Sequence, residues 1–340
     1  MRHLLDIHWS DLYLGETLES SCYAMTPDAH EMLDLPGHLA DEIAALRQHL
    51  EERRRDLEER FGQGHFSIKW PQTPGAVAAE RLRVKPYFTV DLNPMFVLGR
   101  AAGQPMTLIE SGFPPAVVAE LLEQRRRGGL ILLLGRMGSG KTSAAYSFIR
   151  DYTLRHGGRC ICVDNPIERV IEGRCGKGFI RQTEIGHERE AGAALRGTLR
   201  SRASLIKAPE IISDETAREV LHLARSGSLV VADTHGEDLI TGLARVSRMT
   251  GGQHGDLADA LIAVFHLRLG QSDSATSAIV SPEGPQGTPA PPNRQLLVTS
   301  LLITPENQKS VRSQISGGQF AQLTSEIERQ KRMLLQVPVV

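Results

Sequence analysis

The chain has 340 residues, of which 41% are hydrophobic, so it can bury a substantial core and is long enough for two domains or one elaborated domain. Its 39 Lys and Arg residues nearly cancel its 40 Asp and Glu residues, which argues against a global field that would draw it to nucleic acid or to an anionic membrane. Apolar runs such as 130–134 fall far short of the roughly 20 residues that span a bilayer, and Met-Arg-His opens no signal peptide. We therefore expect a cytoplasmic protein.

Residues 1–100 combine short apolar stretches with one long charged helix. The helix is predicted over 36–61, where leucine and isoleucine recur near a 3.6-residue period. Short strands are predicted at 11–14, 66–70, 81–90 and 95–98. Short strands with one helix predict a small α+β domain.

A linker is predicted at 101–115, in a stretch rich in Gly and Pro with few regular signals. Over 116–270, helical stretches alternate with short apolar runs, at 130–134, 160–163, 204–208, 228–232 and 263–267. This alternation predicts an α/β fold with a mainly parallel sheet covered by helices, the architecture of nucleotide-binding domains.

The last part of the chain begins with a segment rich in Ser, Pro and Gly at 271–294, which buries too little apolar surface to offset the entropy of ordering. We expect a surface loop there. A strand at 295–303 and a helix at 305–335 follow, so 295–340 is predicted to continue the fold.

The sequence G-R-M-G-S-G-K-T at 135–142 fits the P-loop pattern G-x-x-x-x-G-K-[ST]. Its glycines allow the backbone N–H groups to turn toward phosphates, and the following helix adds the positive end of its dipole. Lys141 is predicted to reach the β- and γ-phosphates of ATP and Thr142 to ligate Mg²⁺. The predicted nucleotide-binding residues are Gly135, Gly138, Ser139, Gly140, Lys141 and Thr142.

Polar residues follow three other predicted strands. Asp164 comes directly after the run 160–163, and Glu210 comes after 204–208. A P-loop needs such an acidic residue to hold the metal or orient water, although either one alone could be an exposed loop acid. His235 ends a third run, and a lone His is more often structural than catalytic. Three polar groups at strand ends favour a catalytic set of Asp164, Glu210 and His235.

In four ordered motifs the chain resembles the secretion ATPase superfamily, which contains type II secretion, type IV pilus and type IV secretion or conjugation motors. Residues 135–142 correspond to its Walker A motif, and V-D-N-P-I-E at 163–168 resembles its acidic box, usually E-D-P-I-E. L-R-G-T-L-R at 195–200 followed by Glu210 resembles L-R-x-x-L-R leading to Walker B, and Thr234-His235 resembles the His box.

Weaker similarities agree with these motifs. S-D-L-Y-L at 10–14 resembles the opening of the family's PAS-like N-terminal domain, and 109–114 resembles the segment before its ATPase core. Q-T-E-I at 182–185 resembles the DotB- and TraJ-like ATPases of type IVB secretion and conjugation more than the PilT-like retraction motors.

The resemblance implies a RecA-like P-loop ATPase core with a smaller PAS-like N-terminal domain, assembled as a homohexamer. Lys141 and Thr142 would bind phosphate and Mg²⁺, Asp164 would orient the attacking water, Glu210 would support the metal, and His235 would sense the γ-phosphate. An arginine of the adjacent subunit would neutralise growing charge, with Arg81, Arg83 and Arg100 as candidates. Partners would be inner-membrane components of a secretion, conjugation or pilus machine.

The chain departs from the family's motifs at several positions. Asp164 stands for the first acidic-box Glu, Asn165 for the next Asp, and Pro209 for the Gly before the Walker B Glu. These departures leave open a weakly hydrolysing, nucleotide-gated assembly subunit. A nucleic-acid translocase is a further alternative, since arginines at 125–127 and 196–202 could form a local phosphate-binding stripe, although the near-neutral charge makes nucleic acid an unlikely partner.

Overall fold

The computed structural model describes residues 3–16, 22–26, 31–61, 65–71, 80–100, 104–123, 128–271 and 294–336. The loop predicted at 271–294 therefore lies almost entirely outside the described residues, as do the arginines at 125–127. The chain divides into two compact units. The first comprises 1–104, 161–172 and 181–197; the second comprises 105–160, 173–180 and 198–340.

The first unit contains an antiparallel sheet and one long helix. Its elements are β1 (Asp11–Leu14), β2 (Cys22–Met25), β3 (Met32–Asp34), α1 (Ala40–Phe61), β4 (Phe66–Trp70), β5 (Glu80–Phe88) and β6 (Pro94–Arg100). The six strands have the order β3-β2-β1-β6-β5-β4. Ile43, Leu46 and Leu50 on α1 are buried in one core with Leu82 and Phe96 of the sheet, as their helical spacing predicts.

The remaining elements lie within residues 115–336. The strands are β7 (Gly129–Leu134), β8 (Gly158–Asp164), β9 (Gly173–Cys175), β10 (Gly178–Glu184), β11 (Leu205–Lys207), β12 (Leu229–Thr234), β13 (Leu261–Gln271) and β14 (Arg294–Leu302). The helices are α2 (Pro115–Glu123), α3 (Lys141–His156), α4 (Ala191–Arg200), α5 (Asp214–Arg225), α6 (Leu239–Met249), α7 (His254–Ala260), α8 (Gln308–Ser316) and α9 (Leu323–Gln336).

Eight strands form the second sheet, in the order β14-β13-β7-β12-β11-β8-β10-β9. The pairs β11–β12, β12–β7 and β7–β13 are parallel, whereas β13–β14 and β9–β10 at the edges are antiparallel. The predicted α/β class with a parallel centre is confirmed. Every residue of β7 and β12 is buried, which explains why these strands have no alternating pattern.

The prediction of a single helix over 305–335 is wrong in one respect. The structure has two helices, α8 and α9, because Gly317 ends α8 and Gly318 adopts a left-handed backbone, with φ of 67°. Within the described residues, no helix is long and apolar enough to cross a membrane.

Candidate nucleotide-binding site

Residues 135–142, here called the nucleotide loop, join β7 to α3. β7 is a buried run of leucine and isoleucine, and α3 begins at Lys141 immediately after Gly140. The first helical hydrogen bond of α3 runs from the Ala144 N–H to the Gly140 carbonyl, at 2.9 Å. The N–H groups that precede it lie at the positive end of the helix dipole, which is a site that favours an anion.

Two glycines are required by the path of the nucleotide loop. Gly140 adopts a left-handed backbone with φ of 92°, the conformation that admits the turn into α3. Gly135 has φ of 153°, and a Cβ at this position would lie 2.4 Å from Ser139 Oγ and 2.5 Å from the Leu267 carbonyl oxygen. Only glycine therefore fits at position 135.

Lys141 is held inside the nucleotide loop. Its side chain is 7% exposed, and Nζ donates hydrogen bonds of 3.0 Å to the carbonyls of Gly135 and Arg136. The ammonium group is thus positioned at the inner face of the loop. Ser139 Oγ is also buried, and it has no hydrogen-bond partner among the described residues. An unpaired buried hydroxyl carries a free-energy cost that a bound oxyanion would remove.

Strand register brings His235 and Glu210 to the end of the sheet where the nucleotide loop begins. Thr234 of β12 is paired with Leu134 of β7, so His235 follows β12 at the level of Gly135. The segment around Glu210 runs beside the end of β12, because the Ile211 N–H donates to the Asp233 carbonyl at 2.8 Å. His235 Nε2 and Glu210 Oε1 are 3.3 Å apart. The structure therefore brings Glu210 and His235 together at the end of the sheet where the nucleotide loop begins.

A cationic cavity adjoins the nucleotide loop. It has a volume of about 520 Å³, and its lining contains three arginines, Arg136, Arg245 and Arg248, but one acidic residue, Glu237. Arg245 Nη1 donates to the His235 carbonyl at 3.4 Å, which ties α6 to the end of β12. The excess of positive charge favours an anionic ligand on this side of the nucleotide loop.

His266 lies on the other side of the nucleotide loop. It is paired with Leu134 in the register between β13 and β7, and it lines a second cavity with Arg136 and Ser139. Burial lowers the pKa of His266 below its ordinary value, and a hydrogen bond with the Gly236 backbone opposes part of this effect. The imidazole is therefore neutral near pH 7.

Asp164 belongs to the first unit. It ends β8 and is 1% exposed, and its Oδ2 accepts a hydrogen bond of 3.2 Å from Gln182 Nε2. The residues that follow, 165–172, are here called the acidic loop and include most of the predicted acidic box. The Asp164 carbonyl accepts a hydrogen bond of 2.9 Å from the Ile185 N–H, which fixes the end of β8 beside β10.

Glu184 connects the acidic loop to the N-terminal sheet. Its Oε2 accepts a hydrogen bond of 2.9 Å from the Ile167 N–H. The Ser67 N–H donates to Glu184 Oε1 at 2.8 Å, and Ser67 Oγ donates to Oε2 at 2.5 Å. One carboxylate therefore joins β10, the acidic loop and β4, through residues 117 positions apart in the chain.

The three candidate arginines have different surroundings within the first unit. Arg81 Nη1 donates to Ser67 Oγ at 2.5 Å. Arg83 Nη1 lies 3.3 Å from Glu168 Oε1, and both side chains are about 40% exposed. Arg100 packs over the Trp9 ring at 4.8 Å and donates to the carbonyls of Leu5 and Ile7. Arg100 therefore stabilises the N-terminal fold.

The oxygen donors of the second unit fit a magnesium ion bound with nucleotide. Mg²⁺ in such sites takes few protein ligands and completes its shell with phosphate and water oxygens. Thr142 supplies a hydroxyl on the first turn of α3. Glu210 Oε1 is buried, and although it lies 3.3 Å from His235 Nε2 it makes no hydrogen bond of good geometry among the described residues. In that part of the chain no cluster of three or more His, Cys, Asp or Glu residues forms a metal site by itself.

Sequence patterns did not assign roles to Gln182, Arg245 or His266. The sequence Q-T-E-I indicates only a family resemblance, and its contacts with Asp164 and Ser67 depend on the fold. The sequence signal that could have found Gln182 is the alternation of side chains along a strand. Gln182 and Glu184 are two residues apart on β10, so their side chains lie on the same face.

Comparison with known proteins agrees with the four motifs. A family model described as type II/IV secretion system protein matches residues 97–333. The type IV pilus ATPase PilU of Pseudomonas aeruginosa is 28% identical over 198 residues, which cover 58% of this chain and 48% of PilU. The type IV pilus assembly ATPase PilB of Thermus thermophilus is 29% identical over 201 residues, covering 57% of this chain and 21% of PilB. The aligned region thus spans less than half of either relative.

Two solved structures share the fold. The Legionella pneumophila ATPase DotB superposes with a TM-score of 0.69 at 16% identity, covering 99% of this chain and 86% of DotB. The pilus retraction motor PilT, solved with bound ADP, superposes with a TM-score of 0.71 at 21% identity, covering 96% of this chain and 87% of PilT.

Proposed function

Because the chain belongs to the family of type II/IV secretion system proteins, we propose that it is an ATPase that binds Mg-ATP at the nucleotide loop. In this proposal it works as a homohexameric motor of a type IV secretion, conjugation or pilus apparatus. It acts at the cytoplasmic face of the inner membrane, where membrane components of the apparatus recruit it. The observation that carries the proposal is the nucleotide loop itself, with Lys141 buried at its inner face and His235 and Glu210 at the adjoining strand end.

Each residue of the site has a role in this reaction. Lys141 and the N–H groups at the start of α3 bind and neutralise the phosphates, and Ser139 Oγ donates to a phosphate oxygen. Thr142 and Glu210 hold Mg²⁺, which when bound supplies positive charge to the β- and γ-phosphates. His235 reports on the γ-phosphate, and Asp164 orients the attacking water. Because phosphoryl transfer depends on positioning and charge, no covalent intermediate with the protein is needed.

The arginine contributed by the adjacent subunit should be one whose guanidinium is accessible on the N-terminal sheet. Arg83 is the best candidate of the three, since its side chain is 39% exposed and its partner Glu168 is similarly exposed. An exposed ion pair contributes little free energy to stability. Arg83 can therefore leave Glu168 for another anion at small cost. Arg100 is less suited because it is committed to backbone carbonyls and the Trp9 ring.

The second candidate function is a nucleotide-gated assembly subunit, which binds ATP in order to assemble and hardly hydrolyses it. Asp164 favours this reading, because its carboxylate is almost fully buried and already accepts a hydrogen bond from Gln182. Lys207 also favours it, since a buried cation lies in the strand that leads to Glu210, with Nζ 5.3 Å from the Tyr146 ring centre.

Phosphate release from Mg-ATP by the purified protein separates these functions. We expect turnover in Lys141→Ala and in Glu210→Gln to be lower than wild-type turnover by about 100-fold or more. Lys309→Ala, which removes an exposed lysine on α8, is the matched control and should keep wild-type turnover. Glu210→Gln should still bind nucleotide, since it keeps the nucleotide loop.

If the wild type binds ATP but turns it over no faster than Lys141→Ala, the motor function is wrong and the assembly subunit is favoured. Particle symmetry in the presence of ATP provides the second readout. Electron microscopy should show closed rings of six copies, and particles that stay monomeric with saturating ATP would contradict a hexameric motor.

A further inference from the structure

The side chain of Gln182 makes all four of the hydrogen bonds that a glutamine amide can make. Oε1 accepts from the N–H groups of Ile171 and Glu172, at 2.7 and 3.1 Å. Nε2 donates to the Arg169 carbonyl at 2.9 Å and to Asp164 Oδ2 at 3.2 Å. A glutamine amide has two acceptor positions and two N–H donors, so its capacity is used completely.

These contacts fix the orientation of the Gln182 amide. Backbone N–H groups can only donate, so the atom facing Ile171 and Glu172 must be the oxygen. The nitrogen consequently faces the Asp164 carboxylate. Gln182 is 8% exposed, and a buried amide held by four partners has little freedom to rotate.

Side chains at the end of β10 alternate between the two faces of the strand. Gln182 is buried and Glu184 partly buried on one face, whereas Arg181 and Thr183 are exposed on the other. The face of Gln182 and Glu184 contacts the acidic loop at four backbone N–H or carbonyl groups, those of Ile167, Arg169, Ile171 and Glu172. One strand face thus holds the acidic loop at both ends.

We infer that Gln182 is a positioning residue for Asp164: it sets the direction of the carboxylate that orients the attacking water, and its own amide is held by the acidic loop. This inference rests on the proposed function, because it deepens the role given there to Asp164. A hydrogen bond to Oδ2 restricts rotation of the short aspartate side chain, and the contacts with Arg169, Ile171 and Glu172 hold the donor in place. The restriction favours turnover, since misplacement of a catalytic group by about 1 Å can cost 100-fold in rate.

Two substitutions separate the two halves of the Gln182 amide. Gln182→Glu keeps an oxygen for the N–H groups of Ile171 and Glu172 but loses the N–H donors to Asp164 Oδ2 and to the Arg169 carbonyl. Gln182→Leu loses all four hydrogen bonds. Thr183→Val is the matched control, on the same strand with an exposed side chain.

Steady-state kinetics and hydrogen exchange of the full chain test the inference together. We expect kcat to fall by about 10- to 100-fold in both Gln182 variants, with KM for ATP within about twofold of wild type. Amide exchange at 171–172 should stay near wild type in Gln182→Glu and become faster in Gln182→Leu. Thr183→Val should match wild type in kcat, KM and exchange. Thermal unfolding and binding of a fluorescent ADP analogue confirm that each variant is folded.

The outcomes distinguish this inference from the proposed function. Wild-type turnover that does not depend on Lys141 contradicts the proposed function. Lys141-dependent turnover with unchanged kcat in Gln182→Glu overturns the inference alone, as does a loss confined to KM. Unchanged exchange at 171–172 in Gln182→Leu overturns it whether or not the protein hydrolyses ATP.

Discussion

The nucleotide loop and the acidic loop are built in different ways. The nucleotide loop is shaped mainly by its own backbone: glycines at 135 and 140 set the turn, and Lys141 bonds carbonyls five and six residues before it. The acidic loop is instead held by side chains of other elements. Gln182 and Glu184 on β10 bond its backbone, and Glu184 also bonds Ser67 on β4.

This difference matters for how each loop tolerates change. A loop shaped by its own backbone depends on a few glycines, where any side chain produces a clash or a forbidden conformation. A loop held by distant side chains depends on several hydrogen bonds, each of which contributes a moderate free energy and can be adjusted separately. Substitution at Gly135 should therefore disrupt the nucleotide loop in one step, whereas substitutions around the acidic loop should weaken it by degrees.

The largest effect is expected from Gly135→Ala. Its Cβ would approach Ser139 Oγ and the Leu267 carbonyl far inside normal contact, so the loop must change its path. We expect the affinity for ATP to fall by at least about 100-fold, equal to about 2.8 kcal/mol. Equilibrium titration with a fluorescent ATP analogue measures this change.

Gly138→Ala is the control for that prediction. Gly138 also has a positive φ of 73°, but a Cβ there meets no other atom within 4 Å. Its cost is the left-handed backbone alone, about 1–2 kcal/mol. Equal losses of affinity in the two variants would contradict a loop shaped by close contact at position 135.

An intermediate effect is expected where β10, the acidic loop and β4 meet. Glu184→Gln and Ser67→Ala each remove part of a charged hydrogen-bond pair that is partly buried. A double-mutant cycle on the free energy of unfolding in urea should give a coupling of about 1–2 kcal/mol. Glu184→Gln combined with Ser313→Ala, an exposed serine on α8, should instead be additive within about 0.5 kcal/mol. A Glu184–Ser67 coupling no larger than that of the control pair would show that the Glu184 side chain does not hold β10 and β4 together.

The smallest effect is expected from Arg83→Gln. The Arg83–Glu168 pair is about 40% exposed on both sides, so solvent screens it and its loss should change the free energy of unfolding by less than about 1 kcal/mol. Most of that change should disappear in about 1 M salt, where the screening length is about 3 Å. Urea unfolding at low and high salt provides the measurement. A salt-independent loss larger than the Glu184–Ser67 coupling would mean that Arg83 is a principal support of the acidic loop.

Much of the fold was predictable because its signals are contiguous. The helix α1 follows the spacing of its buried leucines, and β7 and β12 follow from unbroken apolar runs. The nucleotide loop was also predictable, since eight consecutive residues carry its pattern and its neighbours are a strand and a helix. The C-terminal helix was predicted too long because the break at Gly317 and Gly318 interrupts an otherwise helical pattern.

The candidate site was predictable only in part. The sequence predicts Glu210 and His235 as site residues because each follows a strand, but their separation of 3.3 Å depends on the parallel register of neighbouring strands. No pattern could place Gln182 against Asp164, 18 residues away, because the contact depends on how β8 and the acidic loop return to β10. His266 reaches the nucleotide loop only through the pairing of β13 with β7.

The sequence by itself determined the local backbone of this protein: where the turn of the nucleotide loop forms, which strand precedes it, and which helix begins after it. Such features depend on dihedral preferences and apolar spacing within a few residues, which are properties of short segments. The tertiary structure alone decided which side chains surround Asp164 and Glu210. Hydrogen bonds between residues distant in the chain form only when packing of the sheets and helices has brought their donors and acceptors within about 3 Å of each other.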